Sequence, residues 1–368
     1  MTVPHSQTVP NVACTVCGCV CDDLTVEVAG SQIARIAPAC ALAEPWFVQQ
    51  SSGDGVAVAQ IAGERSDLET AVSAAADMLA QASAPLIYGL SRSSTPGQRA
   101  AVRLADLLHA TIDTTASTCH APSIVAVQSV GESTATLGEI KNRSDLVIYW
   151  GSDPLTSHPR HLERLVDAPG LFVPAGRGGR HLVVVDTVET ATARCADTFV
   201  RVAPDGDFEL IWALRGLVEG ESVRPDSYGS VPWETLVQLA DRLQSCHYGA
   251  VFFGLGLTRH GVPHANVEAL LRLVTDLNAH TRFVVRRMRV PCDVAGADTV
   301  LCWQTGYPFS VNLARGYPRY NPGEYTANQL LERGEVDVAV LVGSEGVSRL
   351  TPAARTSLTR IPTIVLDY

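Results

Sequence analysis

The chain predicts an α/β protein with a small N-terminal cysteine module and two doubly wound parallel-sheet domains of Rossmann-like type. The first sign is a crowd of cysteines, Cys14, Cys17, Cys21 and Cys40, spaced C-x2-C-x3-C with the fourth after eighteen intervening residues. The second is the pattern from Ser66 onward, where short apolar runs alternate with helix-period stretches, as in strands buried on both faces and joined by helices. The third is that several apolar runs end in glycine and polar residues. Open α/β sheets bind ligands at such carboxyl ends.

The elements follow in order. Residues 24–29 alternate as a strand, Gly30-Ser31 turns, and 32–36 alternates back, a hairpin that joins the three-cysteine loop to Cys40. With a loop around 51–55 this defines a cysteine module over 1–55. Residues 67–81 have helical spacing, 85–90 reads as a buried strand and 95–109 as a helix. Strands over 146–150, 181–186 and 199–202 and a helix over 208–219 complete a domain over 56–245. A second domain over 246–345 takes a strand at 249–254, a helix at 266–278 and strands at 282–285 and 336–342. A last strand, 363–366, lies in a C-terminal return over 346–368. The turn-rich stretches 173–179 and 221–231 are surface loops.

Composition narrows the function. Of 368 residues, 46% are hydrophobic and 18% charged, enough apolar surface for two or three domains. A net charge of -10 argues against nucleic acid as a partner, since phosphate binding needs a basic surface. Residues 1–10 lack the basic start and apolar core of a signal peptide, and no run approaches the ~18 apolar residues of a membrane helix. A cytoplasmic location is expected, and it fits ten reduced cysteines.

Closely spaced thiolates on one loop, with another from a nearby strand end, suit a cubane iron–sulfur cluster. Zinc competes, although its sites usually come as two separated C-x2-C pairs, and unligated thiols are the plainer alternative. Cys19 reads as a spectator. Gly151-Ser152-Asp153-Pro154, Asp186 and Gly343-Ser344-Glu345 stand at three strand ends. Glycine lets backbone approach phosphate, and an acidic residue at a strand tip can accept from a ribose or a guanine edge. Two Gly-Ser-acidic turns suggest two equivalent nucleotide ends, one per sheet. Cys119-His120 precedes a helix start, where a thiolate is stabilised and suits a metal; a buried cysteine beside a surface histidine is the alternative. The cationic run Arg286 to Arg289 follows a buried strand and reads as a solvated end or an anion contact. Segments 303–308 and 315–323 read as ordered aromatic loops, functional or subunit-facing.

The N-terminal cysteine run, Cys119-His120, Gly151 to Pro154 and Asp186 resemble the molybdenum- or tungsten-bis-pterin oxidoreductases, and segments 17–23, 117–123, 136–143, 158–161, 252–258, 303–309 and 315–324 follow a family order along nearly the whole chain. More narrowly, the chain resembles the B subunit of formylmethanofuran dehydrogenase and its homologue in the bacterial formyltransferase/hydrolase complex. The resemblance implies the fold of domains I–III of molybdopterin oxidoreductases. It implies a [4Fe–4S] cluster on Cys14, Cys17, Cys21 and Cys40. It also implies a molybdenum or tungsten bis-pterin guanine dinucleotide, with the metal on Cys119, His120 beside it, and Arg289 (Arg315 as second candidate) facing the substrate. Gly151, Ser152, Asp153, Pro154, Asp186, Gly343, Ser344 and Glu345 would hold the pterin nucleotides.

The implied activity is CO2/formate interconversion. The implied partners are an amidohydrolase-like subunit that joins formate to methanofuran and a small pterin-domain subunit. The family pattern has glycine where Ala121 stands, and glycine and histidine where Val290-Pro291 stand. These departures leave a second expectation, a catalytically silent subunit of a formyltransferase/hydrolase complex that releases formate in formaldehyde oxidation.

Overall fold

The structure, a computed structural model, describes residues 6–51, 59–289 and 294–367. Most of the loop expected at 51–55, and Val290-Pro291, lie outside the described residues. The N-terminal sheet is antiparallel: β1 (Ser6–Val12), β2 (Leu24–Ala29) and β3 (Gln32–Ala37), followed by helix Ala43–Ser51. The β2–β3 hairpin is the expected one. β1 escaped the sequence because it is exposed almost throughout and so shows no alternation. Cys14, Cys17, Cys19 and Cys21 are buried with Leu24, Val26, Ala43 and Phe47. A short hairpin, β4 (Ala59–Ile61) and β5 (Glu64–Ser66), leads into helix Leu68–Gln81. Asp67 starts that helix by accepting the Thr70 N–H at 2.8 Å.

The remaining strands are β6 (Pro85–Gly89), β7 (Thr111–Thr114), β8 (Leu146–Trp150), β9 (His181–Asp186), β10 (Thr198–Arg201), β11 (Tyr248–Phe253), β12 (Arg282–Arg287), β13 (Val311–Asn312), β14 (Arg319–Tyr320), β15 (Val338–Val342) and β16 (Thr363–Leu366). They form two sheets. One runs β10-β9-β8-β11-β12 and is parallel throughout. The other runs β14-β13-β7-β6-β15-β16. Its four strands β7, β6, β15 and β16 are parallel, and β13 and β14 add an antiparallel edge.

These sheets divide the chain differently from a boundary at 245/246. β11 begins just past that point, yet it pairs with β8, Gly249 opposite Leu146. The second sheet is instead assembled from 85–114 and 311–366, so the 346–368 segment supplies its edge strand β16 rather than a separate return. Runs such as Tyr248–Phe253 and Leu146–Trp150 are buried at every position. Such strands carry no facing pattern that would say which sheet they join.

Each sheet is covered on both faces. Helices Asp207–Val218, Trp233–Ser245 and Pro263–Leu277 lie over one face of the first sheet, and helices Thr95–Leu107 and Val294–Thr305 over one face of the second. Helix Ala121–Val130 leaves β7 of the second sheet and packs on helix Pro263–Leu277 of the first, joining the halves. Asp113, at the end of β7, is fully buried and accepts N–H groups of Thr114, Ser310 and Ala327 at 3.0, 3.0 and 2.8 Å. Among the described residues no helix is long and apolar enough to cross a membrane.

Candidate functional site

In the first sheet the chain reverses its winding between β8 and β11, since β9 and β10 lie on one side of β8 and the later strands β11 and β12 on the other. A crevice is expected outside the carboxyl ends at such a switch point. A cleft of about 440 Å³ opens there, lined by Gly151, Ser152, Asp153, Asp186, Gly254 and Gly256 among others. The two strand-end loops touch: Gly256 N–H donates to the Gly151 carbonyl at 2.9 Å, and a Cβ on Gly256 would lie 2.6 Å from Gly151 Cα. Gly151 itself has φ +54°, so both glycines are needed for this approach.

The acidic residues here are partly engaged. Asp153 accepts from Thr192 N–H at 3.0 Å and Thr156 hydroxyl at 2.7 Å, which shapes the loop. Asp186 accepts the Thr187 N–H at 2.7 Å. Pro154 begins a single helical turn, Pro154–Ser157. Asp207 also lines the cleft and accepts the Trp150 indole N–H at 2.6 Å; burial pushes its carboxyl up.

Cys119 stands at the other end of this cleft, contributed by the second sheet. β7 ends in a 3₁₀ turn, Thr115–Thr118, and Cys119 closes it with its N–H on the Ala116 carbonyl at 2.9 Å. Its thiol is buried; burial pushes its pKa up, against Arg349, which hydrogen-bonds it, and Arg289. His120 is buried too, not at the surface. Its Nε2 lies 2.9 Å from Asp298 Oδ2, and its Nδ1 has no hydrogen-bond partner among the described residues. Arg289 Nη1 is 3.9 Å from the same carboxylate oxygen, and burial lowers its guanidinium to about 10. Arg315 is exposed. The geometry therefore gathers a thiol, two guanidiniums, an imidazole and a carboxylate around Cys119, which with Arg349 lines the cleft, an arrangement able to bind a small oxyanion beside a sulfur ligand.

Cys14, Cys17, Cys21 and Cys40 line one small pocket, together with Cys19, Pro38 and Arg160. Cys14 N–H donates to the Cys21 carbonyl at 2.7 Å and closes the loop. The Cys19 thiol lies within hydrogen-bond reach of Cys17 and Cys21 and of the His158 carbonyl at 3.6 Å, and its proton lowers the pKa of the sulfur that accepts it. Among the described residues no three His, Cys, Asp or Glu side chains converge at single-ion distance. Arg160 joins Asp23 through two bonds of 2.8 Å, and Arg164 binds Asp22 and Asp23 at 2.6 Å, fastening the module to the rest of the protein.

Gly343 ends β15 and lies in a different cleft, of about 430 Å³, with Arg92, Ser93 and Asp367. The backbone of Ser344 and Glu345 opens a 3₁₀ turn, Ser344–Arg349, whose last residue reaches back to Cys119. The two Gly-Ser-acidic turns thus sit one on each sheet. Arg349, Asp298 and His158 were missed by sequence reading. Arg349 could have been sought at the end of the Gly343 turn; Asp298 lies mid-helix, with no local signal. Trp303, expected in a loop, is instead near the end of helix Val294–Thr305 and is 70% exposed. Ala121 is the first residue of helix Ala121–Val130, and it packs against the apolar group of Ala116, Ile124, Val294 and Phe309.

No protein-family model matches the chain. The B subunit of the tungsten-containing formylmethanofuran dehydrogenase 2 of Methanocaldococcus jannaschii is 39% identical over 368 residues, 98% of this chain and 85% of the relative. The protein of the same description from Methanococcus maripaludis is 37% identical over 97% of this chain and 84% of its own length. The B subunit of the formyltransferase/hydrolase complex of Methylorubrum extorquens is 26% identical over 78% of this chain and 74% of its own length. Among solved structures, that bacterial complex, crystallised with methylofuran, matches with a TM-score of 0.69 at 24% identity, covering 83% of this chain and 80% of the matched chain. Acetylene hydratase from Pelobacter acetylenicus matches with a TM-score of 0.65 at 13% identity, covering 98% of this chain and 60% of the other, a likeness of fold.

Proposed function

This chain belongs to the family of formylmethanofuran dehydrogenase B subunits, and on that premise we propose that it is the redox subunit of such a complex. It would interconvert CO2 and formate in methanofuran-linked one-carbon metabolism. The observation that carries the reading is the position of Cys119: a buried thiol at the junction of two parallel sheets, flanked by Arg289 and Arg349, at the end of a strand-end cleft.

The residues present fit the groups this function requires. Cys119 is a soft ligand suited to tungsten or molybdenum. The cleft from Cys119 to Asp186 and Asp207, with the Gly151–Gly256 backbone contact, suits one pterin nucleotide, and the Gly343 cleft suits the second. Cys14, Cys17, Cys21 and Cys40 share one pocket, a set of soft sulfur donors of the kind a [4Fe–4S] cluster takes. A bound metal–pterin supplies the two-electron chemistry. The chain's own residues do the rest. Arg289 and Arg349 hold a carboxylate by charge-assisted hydrogen bonds, and burial keeps water from weakening them. His120, neutral because burial lowers its pKa, offers a ring nitrogen for the proton that moves. An amidohydrolase-like partner subunit would join formate to the carrier's amine, and a small pterin-domain subunit would complete the cofactor enclosure.

The second reading, a silent subunit of a formyltransferase/hydrolase complex, draws on Ala121 and Val290-Pro291. The higher identity to the tungsten-containing relatives and the retained cysteines weigh against it. Metal analysis of the complex purified without air decides between them. About four irons and one tungsten or molybdenum per copy of this chain support the redox reading; a complex without either metal overturns it.

A further inference from the structure

Behind Cys119, His120 is held by a carboxylate far away in sequence. Asp298 lies in helix Val294–Thr305 and is buried, as is His120; their side chains are 9% and 6% exposed. Asp298 Oδ2 faces His120 Nε2 at 2.9 Å. Its other oxygen, Oδ1, takes the Thr114 hydroxyl proton at 2.8 Å. Thr114 Oγ1 already accepts the Ala116 N–H at 3.2 Å, and this is the turn that presents Cys119. The polarity of the chain is therefore set: Ala116 N–H to Thr114, Thr114 hydroxyl to Asp298, and Asp298 facing the imidazole. A carboxylate only accepts, so Nε2 carries the ring proton and Nδ1 is left with its lone pair. Neutral imidazole without such a partner would divide its proton between the two nitrogens.

We propose that Asp298 is a positioning residue that fixes the orientation and tautomer of His120, holding the proton on Nε2 and leaving Nδ1 as a hydrogen-bond acceptor next to Cys119. The inference rests on the proposed function. With Nε2 committed to Asp298, Nδ1 is left as the ring's hydrogen-bond acceptor. Asp298 touches neither substrate nor sulfur. It acts only through the ring it orients, and through the charge it places 3.9 Å from Arg289.

The test is Asp298→Asn in the whole complex. Because Thr114 keeps its proton directed at residue 298, the amide oxygen stays on the Thr114 side and the amide nitrogen faces Nε2. The amide then donates, and the ring proton is driven to Nδ1. The same exchange in Ser–His–Asp hydrolases lowers kcat by about 10⁴ through the wrong tautomer. Here kcat for formate oxidation is expected to fall by about 10²-fold or more, with KM within about threefold and metal content unchanged. Full retention of kcat overturns the proposal, as does a loss of kcat that tracks loss of metal. A second measurement needs no turnover. In histidine-labelled protein, with His120→Gln identifying the signal, the ¹⁵N shifts report which ring nitrogen is protonated. The proton should sit on Nε2 in the wild type and move to Nδ1 in Asp298→Asn. A wild-type ring protonated on Nδ1 sinks the inference whatever the activity. Wild-type turnover and metal content report separately on the function.

Discussion

Cys119 stands alone among charged side chains, whereas Cys14, Cys17, Cys19 and Cys21 stand together among aliphatic ones. Around Cys119 lie Arg289, Arg349, His120 and Asp298, all drawn toward one sulfur at the end of an open cleft. The N-terminal pocket has a single guanidinium in its lining, Arg160, which is paired with Asp23, while Arg164 pairs with Asp22 and Asp23; these pairs tie the module down. Burial pushes thiols up in both regions, Cys119 against the pull of its arginines and Cys14 in the N-terminal pocket, but at Cys17 and Cys21 hydrogen bonding to Cys19 overcomes it. A lone sulfur with cations around it suits a site where a small anion must arrive and leave. Several sulfurs enclosed by carbon suit a group that stays.

The contrast can be broken most severely at the sulfurs themselves. Cys119→Ser should reduce CO2/formate interconversion by about 10³-fold or more and leave iron content unchanged. Cys17→Ser should do the opposite to the iron. Parallel metal and activity assays on the two variants check this, and activity surviving Cys119→Ser would remove the redox role. Next in size is Arg349→Leu. One charge-assisted hydrogen bond contributes about 1.5–3 kcal/mol, so KM for formate should rise about 10- to 100-fold with a smaller change in kcat. An unchanged KM would leave anion binding to Arg289 alone.

The sequence showed the two cysteine sites and the strand-end turns because each is local. Four cysteines within one loop and hairpin, or a glycine after a buried strand, can be seen in a short window. What joins them is not local. Asp298 meets His120 across 178 residues, and Asp23 meets Arg160 across 137. Arg349 reaches Cys119 from the 3₁₀ turn that follows β15 of the same sheet, but from far along the chain. Sheet membership was hidden for a related reason: β8 and β11 are buried on both faces, so neither shows which neighbour it will take. β1 failed in the other direction, being too exposed to show any pattern.

The ion pairs that tie the module down offer a smaller perturbation. Arg160→Leu removes paired bonds to Asp23 and to Glu163, but those carboxylates are 42% and 59% exposed and return to water. The loss should therefore be about 1–2 kcal/mol, below that of a fully buried pair, and appear as earlier proteolysis of the N-terminal module. Hydrogen bonding to Arg160 holds Asp23 below its ordinary 3.8. A lowered carboxyl contributes stability at neutral pH that is lost as pH falls through its folded value, so acid release of the module should begin below about pH 4. Arg160→Leu should move that release to higher pH. An acid transition at the same pH in both proteins would mean that other contacts hold the module.

The slightest change tests whether the two regions are mechanically linked. Gly18 lies inside the cysteine run, and a Cβ there would come within 2.9 Å of the Arg289 carbonyl oxygen and 3.1 Å of His158 Nε2. Those two atoms are 3.1 Å apart and hydrogen-bonded, His158 donating, so the methyl would press on a contact already made. The first is backbone, and the second is the tip of a buried imidazole hydrogen-bonded at both nitrogens. A few tenths of an ångström of movement must be shared between the cysteine loop and the backbone that carries Arg289, at a cost of about 1 kcal/mol. Gly18→Ala should then raise KM for formate by about two- to fivefold, since the guanidinium moves with its backbone, while iron content stays level. A shift in the iron centre's spectrum with no change in KM would show that the loop yields and Arg289 does not. No change in either would mean that the contact is relieved without reaching the two sites, and that they work independently.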